Sequence, residues 1–266
     1  MERWEGKIAI VTGASTGIGA ATSKILVQKG LKVVGLARRV DLIEELTLSL
    51  TDAPGELYAV KCDLTKEEEI LEAFKWVKDN LGPVHILVNN AGFIRPTNLL
   101  EGSTEDWRLT FDVNVMAMCI CTREAVKVMR ENNIAGHVIN MNSVVGRYPV
   151  CLPTPTLNVY PASKYAVTAL TENMRQEMRY FNTGIKVTSI SPGIVISEFQ
   201  EGFCKDGTKE AMRNGPVLYP EDVADAIIYT LSTPPHVQVS CLGKFVFFNC
   251  FFQVHDIFMH PLGEMI

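Results

Sequence analysis

The sequence has no uninterrupted apolar run of the roughly 18 residues that a membrane span needs. Its most apolar segment, Phe245–Phe252, is short and contains Asn249. No apolar run of signal-peptide length precedes the first predicted strand. We therefore expect neither a membrane span nor a secretory leader.

Metal-binding and disulfide patterns are also missing. The 7 cysteines are an odd number, and none of them has a CxxC or His-paired spacing. We predict no metal site and expect reduced thiols in the cytosol. The 30 acidic residues exceed the 25 Lys and Arg, which gives a net charge of -5. A general attraction to nucleic acid is therefore not expected.

Neither a linker nor a repeat divides the chain, so we predict one domain over residues 1–266. Apolar strands alternate with amphipathic helical segments, and near-continuous Val, Ile and Ala runs are typical of parallel strands buried on both faces. This pattern predicts a single-domain α/β Rossmann fold with a doubly wound, mostly parallel sheet of about seven strands and helices on both faces. The predicted strands include Lys7–Thr12, Lys32–Ala37, Glu56–Lys61, Ile86–Asn89, Gly136–Met141 and Lys186–Ser191. The predicted helices include Gly17–Lys29, Val40–Leu50, Lys66–Asn80, Tyr160–Tyr180 and Pro220–Ser232, with one or two helices over Thr104–Asn133.

A glycine-rich turn joins the first strand to the first helix. Glycine lets the backbone approach a pyrophosphate, and the following helix directs its amide donors at that charge. A glycine-rich loop without a ligand is the alternative interpretation. The candidate cofactor residues in this turn are Gly13, Ser15, Thr16, Gly17, Ile18 and Gly19.

The end of the second strand indicates which dinucleotide binds. An acidic residue there would hold the 2′-hydroxyl of NAD, whereas this strand continues into Arg38 and Arg39. A guanidinium matches the 2′-phosphate of NADP, and Arg38 is the first candidate. The alternatives are two solvated arginines, or Asp41 in the NAD role, although Asp41 is better suited to cap the next helix.

Tyr160 and Lys164 are one helical turn apart on the same face of a predicted helix. We predict that Tyr160 exchanges a proton with a substrate oxygen and that the Lys164 ammonium lowers the pKa of Tyr160. Lys164 would also donate to the ribose of the cofactor. An exposed helix start with two amphipathic side chains is the alternative.

Two further polar residues complete the predicted catalytic set. Ser143 follows the fifth strand and would hold the substrate oxygen, or else bond its local backbone. Asn114 lies in an apolar helical stretch, where it bonds backbone or holds a water that relays protons to Lys164.

Together these residues resemble the short-chain dehydrogenase/reductase superfamily, and the matches run in family order from Lys7 to about Val239. The resemblance implies that Asp63 and Leu64 contact adenine and that a homodimer or homotetramer forms. It also implies cofactor contacts by Asn90, Ala91, Gly92, Pro192, Gly193, Ile194, Val195 and Ser197.

A closer resemblance is to insect farnesol dehydrogenase-like proteins and dehydrogenase/reductase SDR family member 11. It implies NADP(H) as cofactor and farnesol, ketosteroids or other carbonyls as substrates. The strings that carry it are Met1–Trp4, Val34–Arg39, Ile120–Ala125, Ala166–Glu172 and Pro220–Ala224. We predict oxidation of farnesol or a similar terpenoid alcohol, with ketosteroid or carbonyl reduction as the second reading. The alternative of another class is an NADPH-binding sensor without turnover.

Two loops are expected to shape the pocket. Ser197–Pro216 is a candidate substrate lid. The loop between Ser143 and Tyr160 is longer than the superfamily usually has, and its apolar residues suit a hydrophobic substrate, unless its prolines only stiffen a surface loop. These apolar residues are Tyr148, Pro149, Val150, Leu152, Leu157 and Val159.

The segment Val239–Gln253 departs from the subgroup, which would be expected to pass directly from Gln238 to Val254. The segment has no obvious place in the sheet, and its ends can be encoded as an intron donor and acceptor. We hypothesise a translated, unspliced intron, which cloned mRNA retaining these codons would contradict. The alternative is a genuine extra strand or hairpin.

Overall fold

The structure is a computed structural model that describes residues 1–148, 155–201, 217–245 and 253–261. Eight strands form one sheet in the order β3-β2-β1-β4-β5-β6-β7-β8, and only β8 runs antiparallel. The strands are β1 Ile8–Thr12, β2 Lys32–Ala37, β3 Glu56–Lys61, β4 Val84–Asn89, β5 His137–Met141, β6 Lys186–Pro192, β7 Val237–Phe245 and β8 Gln253–Pro261. The helices are α1 Gly17–Gln28, α2 Val40–Leu48, α3 Glu67–Asn80, α4 Thr104–Phe111, α5 Ala117–Glu131, α6 Tyr160–Tyr180, α7 Glu198–Glu201 and α8 Pro220–Ser232.

Alternate side chains of each central strand enter different cores on the two faces of the sheet. In β1, Ala9 and Val11 pack in the core that contains α1 and α8, while Ile8 and Ile10 pack in the core with α3 and α5. Burial on both faces explains the continuous apolar composition of these strands. The predicted doubly wound α/β fold is therefore confirmed, and within the described residues no helix is long and apolar enough to cross a bilayer.

The order of strands reverses between β1 and β4, so the crevice beyond their carboxyl ends is the topological switch point of the sheet. Thr12 ties the two strand ends together, because its hydroxyl accepts hydrogen bonds from the backbone amides of Asn90 and Ala91, both at 3.0 Å. The Asn90 side chain donates back to the carbonyl oxygen of Thr12 at 2.9 Å. These contacts fix the backbone that forms the floor of the crevice.

Two sequence-based expectations about local structure are wrong. Asp41 does not cap α2, because Arg39 holds the cap position and Asp41 lies in the first turn. An acidic side chain still suits the positive end of the helix from that position. The segment Val239–Gln253 does have a place in the sheet, since Cys241 to Lys244 pair in parallel with Ser189 to Pro192 of β6.

The rest of the segment Val239–Gln253 belongs in part to strands and in part lies outside the described residues. β7 continues to Phe245, β8 begins at Gln253, and residues 246–252 lie outside the described residues. The unspliced intron remains our proposal. Cloned mRNA is the test of this proposal.

Candidate active site

The crevice at the switch point is a cleft of about 540 Å³. Every predicted cofactor residue except Gly19 lines it. Gly19 instead lies beneath the glycine-rich turn, where a Cβ would come within 2.6 Å of Asn90 Nδ2. Gly19 therefore provides close packing of α1 on the turn rather than a wall of the cleft.

The glycine-rich turn presents the start of α1 to the cleft. Gly13 and Gly17 adopt positive φ angles of 65° and 58°, a region that side chains disfavour. Thr16 occupies the cap position without a side-chain cap bond, and the first turn of α1 carries no acidic residue. The helix start therefore keeps its positive potential and its amide donors for an anion.

Charged side chains cluster at the same end of the cleft. Arg38 and Arg39 are exposed and line the cleft beside Asp63, whereas Asp41 is not among its lining residues. Burial raises the pKa of Asp63, but hydrogen bonds from Thr65 and the charges of Arg38 and Lys66 outweigh it, so the net shift is downward. This end of the cleft therefore combines two guanidinium groups with a carboxylate that stays ionised.

The other end of the cleft contains Tyr160, Lys164 and Ser143. The side chains of Tyr160 and Lys164 are buried, and Lys164 Nζ lies 5.6 Å from the centre of the Tyr160 ring. Lys164 Nζ donates to the backbone oxygen of Met141 at 2.9 Å. Ser143 follows β5, accepts from the amide of Val145 at 3.4 Å, and forms a hydrogen bond with Tyr160. The helical start and the strand end thus bring the three predicted groups together.

Burial dominates the titration of both catalytic candidates. Burial raises the pKa of Tyr160, and the hydrogen bond with Ser143 offsets this only in part. The lowering expected from Lys164 therefore does not outweigh burial, and the phenol is neutral near neutral pH, which suits proton donation. Burial lowers the pKa of Lys164 to about 8.

Asn114 lies in a π-helical turn, Asp112–Met116, which joins α4 to α5. Its Oδ1 accepts from the amide of Phe93 at 2.7 Å, while its Nδ2 donates to the carbonyl of Phe93 and to Ser163 Oγ, both at 3.0 Å. Both amide hydrogens are therefore used. Of the two predicted alternatives, this geometry favours the backbone bond, and Asn114 braces the chain after β4 against α6.

The two loops expected to shape the pocket are only partly described. From the longer loop, Leu157 lines the cleft, Tyr148 and Val159 do not, and Pro149, Val150 and Leu152 lie outside the described residues. From the candidate lid, Ser197, Glu198 and Phe199 line the cleft, and residues 202–216 lie outside the described residues.

Phe199 packs on the Tyr160 ring at a centroid distance of 5.9 Å. The sequence placed Glu198 and Phe199 in the candidate lid but gave no contact for either, because a short, poorly periodic segment carries no signal for which wall of a cleft it will join.

Gly146 holds the turn after Ser143 against α6. A Cβ at Gly146 would lie 2.5 Å from Asn142 Oδ1 and 2.6 Å from the carbonyl oxygen of Lys164. We expect Gly146→Ala to push this turn away from α6, with a loss of about 2 kcal/mol of stability. We also expect at least a tenfold lower kcat, since small displacements of catalytic groups are costly.

Thermal unfolding and steady-state kinetics check the Gly146 prediction. The control is Gly6→Ala, whose Cβ would meet no atom within 4 Å, so only backbone strain is introduced. If Gly146→Ala kept the parent kcat, the turn would not position Ser143.

Comparison with known proteins identifies extensive similarity. A family model described as short chain dehydrogenase matches residues 7–206. Dehydrogenase/reductase SDR family member 11 from Bos taurus is 51% identical over 246 residues, covering 90% of this chain and 95% of that protein. Farnesol dehydrogenase from Aedes aegypti is 44% identical over 266 residues, covering 99% of both chains.

Solved structures of dehydrogenases are also similar to this chain. A closed form of serine dehydrogenase complexed with NADP+ has a TM-score of 0.77 and 31% identity, covering 89% of this chain and 93% of that chain. A short chain dehydrogenase/reductase from Burkholderia phymatum in complex with NAD has a TM-score of 0.78 and 26% identity, covering 87% and 88%. Both nicotinamide cofactors therefore occur among the structural neighbours.

Proposed function

The chain belongs to the short chain dehydrogenase family, and from that premise we propose that it is an NADP(H)-dependent oxidoreductase acting on apolar alcohols and carbonyls. The observation that carries the proposal is the pairing of Tyr160 and Lys164 at one end of a cleft whose other end contains Arg38 and Arg39. A candidate phosphate site and a candidate proton donor line one crevice, which supports dinucleotide-dependent hydride transfer.

Each residue has a defined role in the proposed reaction. When bound, the nicotinamide cofactor supplies or accepts a hydride at the substrate carbon. In the reductive direction, Tyr160 Oη donates its proton to the carbonyl oxygen, and in the oxidative direction it removes the proton from the hydroxyl. Ser143 hydrogen-bonds the same oxygen, and Lys164, near its own pKa of about 8, helps the phenol to exchange its proton. Asn114 connects the chain after β4 to α6 through its hydrogen bonds with Phe93 and Ser163.

The glycine-rich turn and the two arginines would hold the cofactor. The positive start of α1 suits the pyrophosphate, and the arginines suit the 2′-phosphate. A Cβ at Gly13 would come within 2.9 Å of Ala91 Cα, so any side chain there would push the glycine-rich turn away from the chain after β4.

An apolar wall near Tyr160 supports a hydrophobic substrate. The wall includes Phe93, Val144, Val145, Leu157 and Phe199, all of which line the cleft. We propose farnesol or a similar terpenoid alcohol, in agreement with the name of the Aedes aegypti relative. Ketosteroid or other carbonyl reduction is the second candidate, and in it the neutral Tyr160 would donate its proton to the carbonyl oxygen.

A paired assay tests the proposal. Farnesol with NADP+ and a ketosteroid with NADPH are each measured for turnover and repeated with NAD+ or NADH. Faster turnover with the phosphorylated cofactor supports the proposal, and the faster pair identifies the substrate class. Cofactor binding without turnover of any substrate would favour the sensor instead.

Replacement of Arg38 tests the cofactor preference. We expect Arg38→Gln to raise the KM for NADPH about tenfold to a hundredfold, because a charge-assisted phosphate contact is lost. The KM for NADH should stay within about twofold, since NADH has no 2′-phosphate to lose a contact. Arg130→Gln is the matched control, because Arg130 lies over the Phe181 ring at the end of α5. Equal losses with both cofactors would contradict the assignment of Arg38.

The proposal also covers the cellular location and the oligomeric state of the enzyme. We propose a cytosolic homodimer or homotetramer, and Cys62, Cys119 and Cys121, which form no disulfide, suit a reducing compartment. Light scattering of the purified chain measures its assembly.

A further inference from the structure

A carboxylate already lies at the end of the cleft where phosphate is expected. Glu198 Oε2 accepts a hydrogen bond from Arg39 Nη2 at 2.8 Å. Thr16 Oγ1 also forms a hydrogen bond with Glu198 and lies 3.4 Å from the same Arg39 nitrogen. Glu198, Arg39 and Thr16 therefore form a closed triangle at the start of α1.

The partners of Glu198 are the groups that a phosphate would need. Arg39 offers a guanidinium, Thr16 offers a hydroxyl, and both stand where the helix start adds positive potential. The residue before Glu198 lies close to the glycine-rich turn, since a Cβ at Gly17 would lie 3.2 Å from Ser197 Cβ. Ser197 and Glu198 therefore lie beside the start of α1.

We propose that Glu198 determines cofactor affinity by occupying this anion site until the 2′-phosphate of NADP(H) displaces it from Arg39 and Thr16. The inference rests on the proposed function, because it takes NADP(H) as the cofactor. The same carboxylate has no competitor in NAD(H), whose ribose carries a hydroxyl instead of a phosphate. Glu198 therefore reduces the advantage of the phosphorylated cofactor and lets it leave after turnover.

The test replaces Glu198 with a neutral side chain of the same shape. Glu198→Gln should bind NADPH about twofold to fivefold more tightly than the parent, the range expected for an exposed ion pair. NADH binding should not change. Glu105→Gln is the matched control, because Glu105 is exposed in the first turn of α4 and does not line the cleft. Affinities are measured by titrating cofactor fluorescence.

A double-mutant cycle separates direct competition from a general charge effect. In an Arg39→Gln background, Glu198→Gln should no longer tighten NADPH binding, because the carboxylate has lost the partner for which phosphate competes. Equal tightening in both backgrounds, or equal tightening of NADH, would overturn the inference. So would an unchanged NADPH affinity in the single variant.

A fragment probe keeps this inference distinct from the proposed function. Adenosine 2′,5′-bisphosphate carries the 2′-phosphate without nicotinamide, so its binding reports on the anion site alone. Equal affinity of the parent for NADPH and NADH would overturn the cofactor preference. Failure of Glu198→Gln to tighten the bisphosphate would overturn the role of Glu198.

Discussion

Tyr160→Phe is expected to lower kcat about a thousandfold, because general acid–base catalysis contributes roughly 10²- to 10⁴-fold. The change removes one hydroxyl from a ring that is buried beside Phe199, so the packing of the cleft is kept. The dissociation constant of NADPH should change by less than about threefold, since the variant keeps Lys164 and the phosphate end of the cleft. Steady-state kinetics and cofactor titration measure the two effects separately.

Tyr165→Phe is the matched control for this experiment. Tyr165 belongs to the same helix, but this residue is 44% exposed and does not line the cleft. The control should keep the parent kcat. A Tyr160→Phe enzyme as fast as the parent would disprove Tyr160 as the proton donor, and equal losses in both variants would indicate damage to α6 instead.

Lys164→Met is expected to lower kcat and to change how stability depends on pH. The loss of kcat should be about a thousandfold, because the group that assists Tyr160 is removed. Burial lowers the pKa of Lys164 from 10.5 to about 8, so the folded chain binds fewer protons than the unfolded chain between those values. Consequently the free energy of unfolding of the parent rises with pH across that window.

The size of the pH effect follows from the pKa shift. Keeping Lys164 charged in its buried position at pH 7 costs about 3 kcal/mol, and this penalty disappears above pH 10.5. Methionine has no such penalty, but it leaves the Met141 carbonyl without its donor, which costs about 1–3 kcal/mol. The parent should therefore gain about 2 kcal/mol relative to the variant between pH 7 and pH 10.

Urea unfolding at the two pH values measures this difference. Lys186→Met is the control, because Lys186 is also buried with a pKa lowered to about 8, yet it bonds Pro234 away from the cleft. The control should show the same direction of pH dependence with activity retained. A stability difference between Lys164→Met and the parent that does not vary with pH would contradict a buried Lys164 amine that is uncharged at high pH.

Much of the fold could be predicted because its signals are local. β2, β3, α6 and α8 have the predicted bounds, and the other predicted strands differ by one or two residues. Continuous apolar runs and helical periodicity are read within a few residues of each position. The strand that starts at Val237 could not be predicted, because its pairing with β6 depends on a partner far away in the sequence.

In the candidate site, too, the local features could be predicted from sequence and the contacts between distant residues could not. The glycine-rich turn and the Tyr160–Lys164 spacing are short motifs, so they could be found from sequence. Thr12 and Glu198 act through partners more than 70 residues away, Asn90 and Arg39, and no local pattern announces such contacts. The raised pKa of Tyr160 was missed for a related reason, since burial is a property of the assembled fold.

The π-helical turn at Asp112–Met116 makes the site sensitive to chain length. Its wider loop, in which the amide of Ala117 bonds the carbonyl of Asp112, accommodates one residue more than an α-helical turn. Because the wider turn absorbs the extra residue, α4 and α5 on either side of it keep their relative phase. Removing one residue here would close the turn to a regular helix and shift Asn114, which lies inside the turn, relative to Phe93 and Ser163. A single-codon deletion would therefore act on the contacts of Asn114, although no atom of the turn takes part in the proposed hydride transfer.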